Sequence, residues 1–152
     1  MSGLPGAGKD TWLRRRAPEL PVISLDSIRE ELDAPSTGDQ GSVIQAARDR
    51  ARQLLREGVS FAWSATNLSR DRRGQLIDLF TAYRARTRIV YVEAPNGELF
   101  ERNAKRQRPV PIDAIEHMLD HWQVPDVTEA WAVEWWQSDM KVDLSSTSSF
   151  LG

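Results

Sequence analysis

The chain opens Met-Ser-Gly-Leu-Pro-Gly-Ala-Gly-Lys-Asp-Thr, and the spacing of Gly3, Gly8 and Lys9 is that of a phosphate-binding turn. Gly3, Gly6 and Gly8, with Pro5 and Ala7 between them, let backbone N–H groups turn inward around a phosphate chain. A helix starting at Lys9 aims its positive end at the same place. Lys9 would reach the β- and γ-phosphates of a nucleotide such as ATP. In the full pattern the residue after the lysine carries a hydroxyl that binds Mg²⁺. Here Asp10 stands at that position and Thr11 follows it. A chance glycine-rich turn is the plainer alternative, and the helix predicted directly behind the loop weighs against it.

Other residues could share that chemistry. Asp26 ends the apolar run VISL. A carboxylate there could take the proton of a hydroxyl attacking a phosphate, or it could merely favour a helix start. Arg29, three residues on, could hold a phosphate of the acceptor or lie at the surface. Arg102 and Arg106 are i, i+4 neighbours that repel unless an anion sits between them. A transferring phosphoryl group would do so. The bland alternative pairs Arg102 with Glu98 and leaves Arg106 in water. Asn67 could bind a phosphate, a ribose hydroxyl or the backbone.

Positioning these groups requires an ordered set of elements. A helix is expected over Lys9–Arg16, then a buried strand in PVISLD. Ser27–Glu30 and Ser42–Gln45 have capping-box spacing and predict two helix starts. The second helix has apolar positions Val43, Ala47, Ala51, Leu54 and Leu55, and Gly58 ends it. VSFAWSA is the next strand, Ser69–Arg86 a helix, RIVYVEA a strand and Pro95–Gln107 a helix. Ile112, Ile115, Leu119 and Trp122 mark one more helix, and AVEWWQ an edge strand. Residues 1–136 thus read as one α/β domain with a parallel sheet flanked by helices, and 137–152 as a polar, frayed tail. Ligands in such sheets sit at the carboxyl ends of the strands, where the glycine loop, Asp26 and Asn67 all fall. Of the six tryptophans, Trp63 and Trp122 read as core.

With 152 residues, one domain is expected, and the absence of cysteine excludes disulfides and thiolate metal sites. No apolar run reaches membrane-spanning length and the first residues are no signal segment, so a cytoplasmic protein with no membrane partner is expected. The net charge is −2, but residues 48–108 carry +7 and residues 109–152 carry −7. Of the 20 basic residues, 17 are Arg, whose planar donors suit phosphate-rich ligands. Solvated helix faces are the competing explanation.

The stretches GLPGAGKDTW, SLDSIR, ATNLSRDRR and ERNAKRQRPVPIDAI occur in this order over roughly residues 3–122. They resemble the 5′-hydroxyl polynucleotide kinase domain of phage-type end-healing enzymes, a P-loop kinase. The resemblance extends to bacterial RNA-repair proteins in which this module sits beside a phosphatase. It implies an ATP- and Mg²⁺-dependent kinase acting on 5′-OH ends of RNA or DNA, with a fused or associated phosphatase or ligase module as partner. It also implies roles: Lys9 on the donor phosphates, Asp26 as general base, Arg29 on the acceptor's phosphate, and Arg102 and Arg106 in a lid over the donor. The segment around Arg70, Arg72 and Arg73 would track an oligonucleotide backbone. Two positions depart from the family pattern: Asp10 replaces the hydroxyl residue, and Ala65 stands where an acid precedes Thr66-Asn67. Read together, they could be one change, with Asp10 as a relocated Mg²⁺ ligand; the competing reading is lost metal binding and weak catalysis, because Asp10 also puts a negative charge near the triphosphate. The central first strand of that fold is reduced to Met1-Ser2, so an N-terminally truncated domain is expected. A small-molecule P-loop kinase and a non-catalytic ATP-binding fragment are the alternative readings.

Overall fold

The computed structural model describes residues 1–35 and 40–137. The 138–152 part of the expected tail and residues 36–39 of the loop before α3 lie outside them. The elements run α1 (Lys9–Arg16), β1 (Val22–Ser24), α2 (Leu25–Glu31), α3 (Gly41–Arg56), β2 (Ala62–Ser64), α4 (Arg70–Ala82), β3 (Arg88–Glu93), α5 (Asn96–Ala104), α6 (Ile112–Asp120) and β4 (Ala132–Gln137). This is an α/β fold with parallel strands flanked by helices, as expected. Among the described residues no helix is long and apolar enough to cross a membrane.

Helix ends decide where the site residues fall. Ser24, not Ser27, caps α2: its side chain accepts from the Ser27 N–H at 3.3 Å. Asp26 therefore lies in the first helical turn rather than at the strand end, where the helix dipole favours a carboxylate. The capping box expected at Ser42 does not form, because α3 already starts at Gly41 with Gln40 as its cap. Gly58 does end α3: with φ 69° it donates to the Leu55 C=O while Val59 donates to the Leu54 C=O. That is a Schellman closure, for which glycine is suited. The same closure at Arg84 (φ 61°) stops α4 at Ala82, short of the expected Arg86. β2 is shorter than the run VSFAWSA, and α5 stops at Ala104 instead of Gln107.

β1 pairs in parallel with β2, Ile23 opposite Trp63, and β3 pairs in parallel with β4, Val90 opposite Glu134. β2 and β3 do not pair with each other. Met1 and Ser2 lie between them. The Met1 nitrogen donates to the Trp63 C=O at 2.8 Å, Ser2 N–H donates to Val90 C=O at 2.8 Å, and Val92 N–H donates to Ser2 C=O at 2.9 Å. The spatial order is thus β1, β2, residues 1–2, β3, β4.

Two apolar clusters flank this line. One gathers Ile23, Ile28, Val43, Ala47, Ala51, Trp63 and Phe80. The other gathers Leu4, Leu68, Leu99 and Ile115, with Trp122 packed against it. Trp63 and Trp122 are core, as their patterning predicts. Trp136 of β4 packs edge-on against Trp12 of α1 at 5.9 Å.

Candidate phosphate-binding site

The loop between Ser2 and α1 is built on backbone shapes open to glycine. Gly3, Gly6 and Gly8 have φ of 151°, 83° and 104°. A Cβ on Gly3 would lie 2.3 Å from the Val92 carbonyl oxygen, and one on Gly6 would lie 2.7 Å from that of Leu99. The loop is therefore pressed between the end of β3 and α5, with Pro5 and Ala7 buried beneath it. Lys9 folds back over it, its Nζ donating to the carbonyls of Gly3 at 2.8 Å and Leu4 at 3.0 Å. Burial pulls the Lys9 ammonium down to about 8; Arg106 adds to that shift, and Asp10 and Asp26 oppose it. Asp10 and Thr11 lie exposed on the first turn of α1, where Thr11 Oγ1 accepts from Arg14 at 3.3 Å.

Asp26 lies between two arginines. Its Oδ1 accepts from Arg29 at 2.6 Å and its Oδ2 from Arg106 at 2.8 Å, across 80 residues of sequence. Burial works to raise its pKa, but the two guanidinium groups outweigh that and hold the carboxyl below the usual range. The bland alternative for Arg106, a solvated side chain, does not hold. For Arg102 it does in part: Glu98 accepts from it at 2.5 Å, yet its guanidinium also stands beside Gly8 of the loop.

Residues that sequence reasoning passed over hold these groups in place. Gln40 accepts from Arg29 Nε at 2.9 Å and is itself tied to the Pro35 carbonyl. Buried Asn103 exchanges two hydrogen bonds with the backbone of Val110, folding the 105–110 segment so that Arg106 projects toward Asp26. The R-N-x-x-R spacing contained Asn103, but nothing local showed that its amide would turn inward.

Asn67 takes the backbone alternative. It has φ 47°, its Nδ2 donates to the Met1 C=O at 2.9 Å, and its own C=O accepts from Ser2 Oγ. Thr66 C=O accepts from Gly3 N–H at 2.9 Å, so this wall fixes the start of the loop. Arg73 corrects the expectation of a basic track along 70–73. It is only 3% exposed, bonded bidentately to Glu129, with NH1 donating to the carbonyls of Asn67, Leu68 and Gln123. It is a buried clasp, and only Arg70 and Arg72 of that stretch face solvent.

A family model described as an AAA domain matches residues 1–125. The chain belongs to that AAA domain family. Among solved structures, a candidate kinase from Chloroflexus aurantiacus superposes with a TM-score of 0.69 at 18% identity, covering 90% of this chain and 84% of that one. A sugar kinase from Janibacter superposes with a TM-score of 0.65 at 18% identity, covering 90% and 82%. Chaetomium thermophilum Kti12, in complex with ADP-AlF3, superposes with a TM-score of 0.65 at 20% identity, covering 91% and 87%. These likenesses give the AAA domain a P-loop kinase-like fold.

The residues of this AAA domain fit a nucleotide's phosphates. Gly6 and Gly8 hold left-handed backbone torsions just before α1, and Lys9 stands at the first position of that helix with its ammonium on the Gly3 and Leu4 carbonyls. Among the described residues no group of three or more His, Cys, Asp or Glu gathers for a metal. Mg²⁺ needs only one or two carboxylates beside phosphate oxygens. Asp10, exposed on the first turn of α1 behind the loop, is a carboxylate of that kind.

Proposed function

We propose that the chain is a phosphotransferase that moves the γ-phosphoryl group of ATP to a hydroxyl, the 5′-OH end of RNA or DNA. The observation that carries this reading is the ionised Asp26, held by Arg29 on one side and by Arg106 on the other. The glycine loop and Lys9 would bind the donor phosphates. Arg102 and Arg106 would close over the γ-phosphate, with Arg106 leaving Asp26 to do so. Asp10 would hold Mg²⁺, whose chemistry is to neutralise charge on the β- and γ-phosphate oxygens. The acceptor oxygen then attacks the γ-phosphorus, the bond to the bridging oxygen of ADP breaks, and the hydroxyl proton passes to Asp26. Arg29, oriented by Gln40, would hold the phosphate next to the acceptor nucleoside. A phosphatase or ligase acting on the same ends is the partner this chemistry fits.

The test is γ-phosphate transfer to 5′-OH oligonucleotides, with small polyols and nucleosides as competitors. Asp26→Asn should lower transfer by about 10²–10⁴-fold while sparing ATP binding. Arg29→Ala should raise KM for oligonucleotides. Near wild-type transfer by Asp26→Asn would remove its role as base. Transfer to polyols alone would make this a small-molecule kinase, and ATP binding without transfer a nucleotide-binding module.

A further inference from the structure

We propose that His117 and His121 form a chelating site for a divalent transition-metal ion of tetragonal preference, Cu²⁺ or Ni²⁺, on the outer face of α6. This inference is independent of the phosphotransfer reading, and neither residue belongs to the phosphate site. They are the only two histidines of the chain. They stand four residues apart, His117 in the last turn of α6 and His121 as its C-terminal cap. Side chains at that spacing are neighbours on one helix face, and two imidazoles so placed can hold one ion. Their rings lie 4.4 Å apart, centre to centre, inclined at 48°.

One hydrogen bond prepares the pair. His121 Nδ1 lies 2.9 Å from the His117 carbonyl oxygen. A carbonyl only accepts, so Nδ1 carries the proton and Nε2 keeps its lone pair. Metal-binding histidines are oriented in this way, the second ring nitrogen donating to a backbone carbonyl. The bond fixes which nitrogen is offered and limits how the ring turns. Neither ring is needed for packing. Both side chains are exposed, and Ile115 is the residue of α6 buried against Leu4, Leu68 and Leu99.

The ring spacing selects the metal. An imidazole nitrogen binds a metal ion at about 2.0–2.1 Å, which sets the ion roughly 3.2 Å from each ring centre. Centres 4.4 Å apart then subtend about 90° at the ion. A tetrahedral ion would need the centres about 5 Å apart. An angle near 90° belongs to the tetragonal geometry of Cu²⁺ and Ni²⁺, both of which imidazole suits. Among the described residues no group of three or more His, Cys, Asp or Glu gathers, so the remaining positions fall to water. An ion held by both rings ties down the last turn of α6. That turn is otherwise closed by bonds of 3.3 Å from His121 N–H to Met118 C=O and 3.2 Å from Trp122 N–H to Leu119 C=O.

The experiment titrates Ni²⁺ and Cu²⁺ into the full chain carrying no histidine tag. Calorimetry should show one Ni²⁺ per chain. The electron paramagnetic resonance spectrum of one equivalent of Cu²⁺ should show a tetragonal site with two imidazole nitrogens. At free Ni²⁺ about 100-fold above Kd, Tm should rise by about 5–10 °C. His117→Gln and His121→Gln should each lower Ni²⁺ affinity at least about tenfold and remove the Tm shift. The metal-free Tm of both variants should match wild type, since both side chains are exposed. Undiminished Ni²⁺ affinity in either variant overturns the proposal, because the ion would then sit elsewhere. So does a Cu²⁺ spectrum with a single nitrogen, or Ni²⁺ binding that leaves the wild-type Tm unchanged, since the helix would then play no part in holding the ion.

Discussion

Glu129→Ala isolates the buried clasp. Arg73 and Glu129 are 3% and 4% exposed and share two hydrogen bonds of 2.7 and 2.8 Å. Removing the carboxylate leaves a guanidinium in the interior with only carbonyl partners. Breaking a buried pair from one side costs about 3–5 kcal/mol. Three carbonyl bonds to Arg73 NH1 survive, which puts the loss near the lower end, about 3 kcal/mol. That is a large share of the roughly 5–15 kcal/mol available to a domain, and at about 2–4 °C per kcal/mol it lowers Tm by roughly 6–12 °C. Urea unfolding should show the midpoint falling with an unchanged slope. Arg73→Met with Glu129→Leu together should recover most of the loss, because no unpaired charge remains. The pH dependence adds a check. Burial raises the Glu129 pKa, but Arg73 and the Asp126 N–H outweigh it and hold it below the usual 4.5. Its stabilisation is complete above 4.5 and is lost as pH falls through the depressed value. Wild type should therefore lose stability there that Glu129→Ala no longer has to lose. A loss under about 1 kcal/mol at neutral pH would refute the clasp.

Two predictions concern the loop. Gly3→Ala should lower nucleotide affinity at least about tenfold, since its Cβ would meet the Val92 carbonyl oxygen at 2.3 Å. Gly58→Ala has open space and only a positive φ, so it should cost about 1–2 kcal/mol of stability and no affinity in a binding titration. Lys9 is pulled down to about 8 by burial, and bound phosphate favours its charged form. Nucleotide affinity should weaken as pH rises past 8, with proton uptake on binding measured by calorimetry in buffers of different ionisation enthalpy. Lys9→Met should abolish that uptake. The unfolded chain holds the Lys9 proton up to 10.5, so this group's contribution to stability rises between pH 8 and 10.5.

Much of the machinery was legible because it rests on local rules. Gly3, Gly8 and Lys9 announce a phosphate loop by spacing alone, and α1 and β3 follow closely from the runs KDTWLRRR and RIVYVE. Boundaries were harder where two caps competed. Ser24 and Ser27 both suit a helix start, and Ser24 is used because β1 ends there. Arg73 reads as one more exposed arginine in a basic stretch, and only Glu129, 56 residues away, makes it a buried clasp. Asn67 reads as three alternatives, and the return of Met1 beside it selects one.

By itself, then, the amino-acid sequence determined which groups could bind phosphate and which segments had to be helix or strand, since glycine torsions and side-chain periodicity act within a few residues. Only the tertiary structure decided that Arg106 crosses to Asp26, that Arg73 faces inward, and that β4 pairs with β3. A charge's solvation and a strand's partners are set by what packs against them from elsewhere in the chain, and no short-range pattern carries that information.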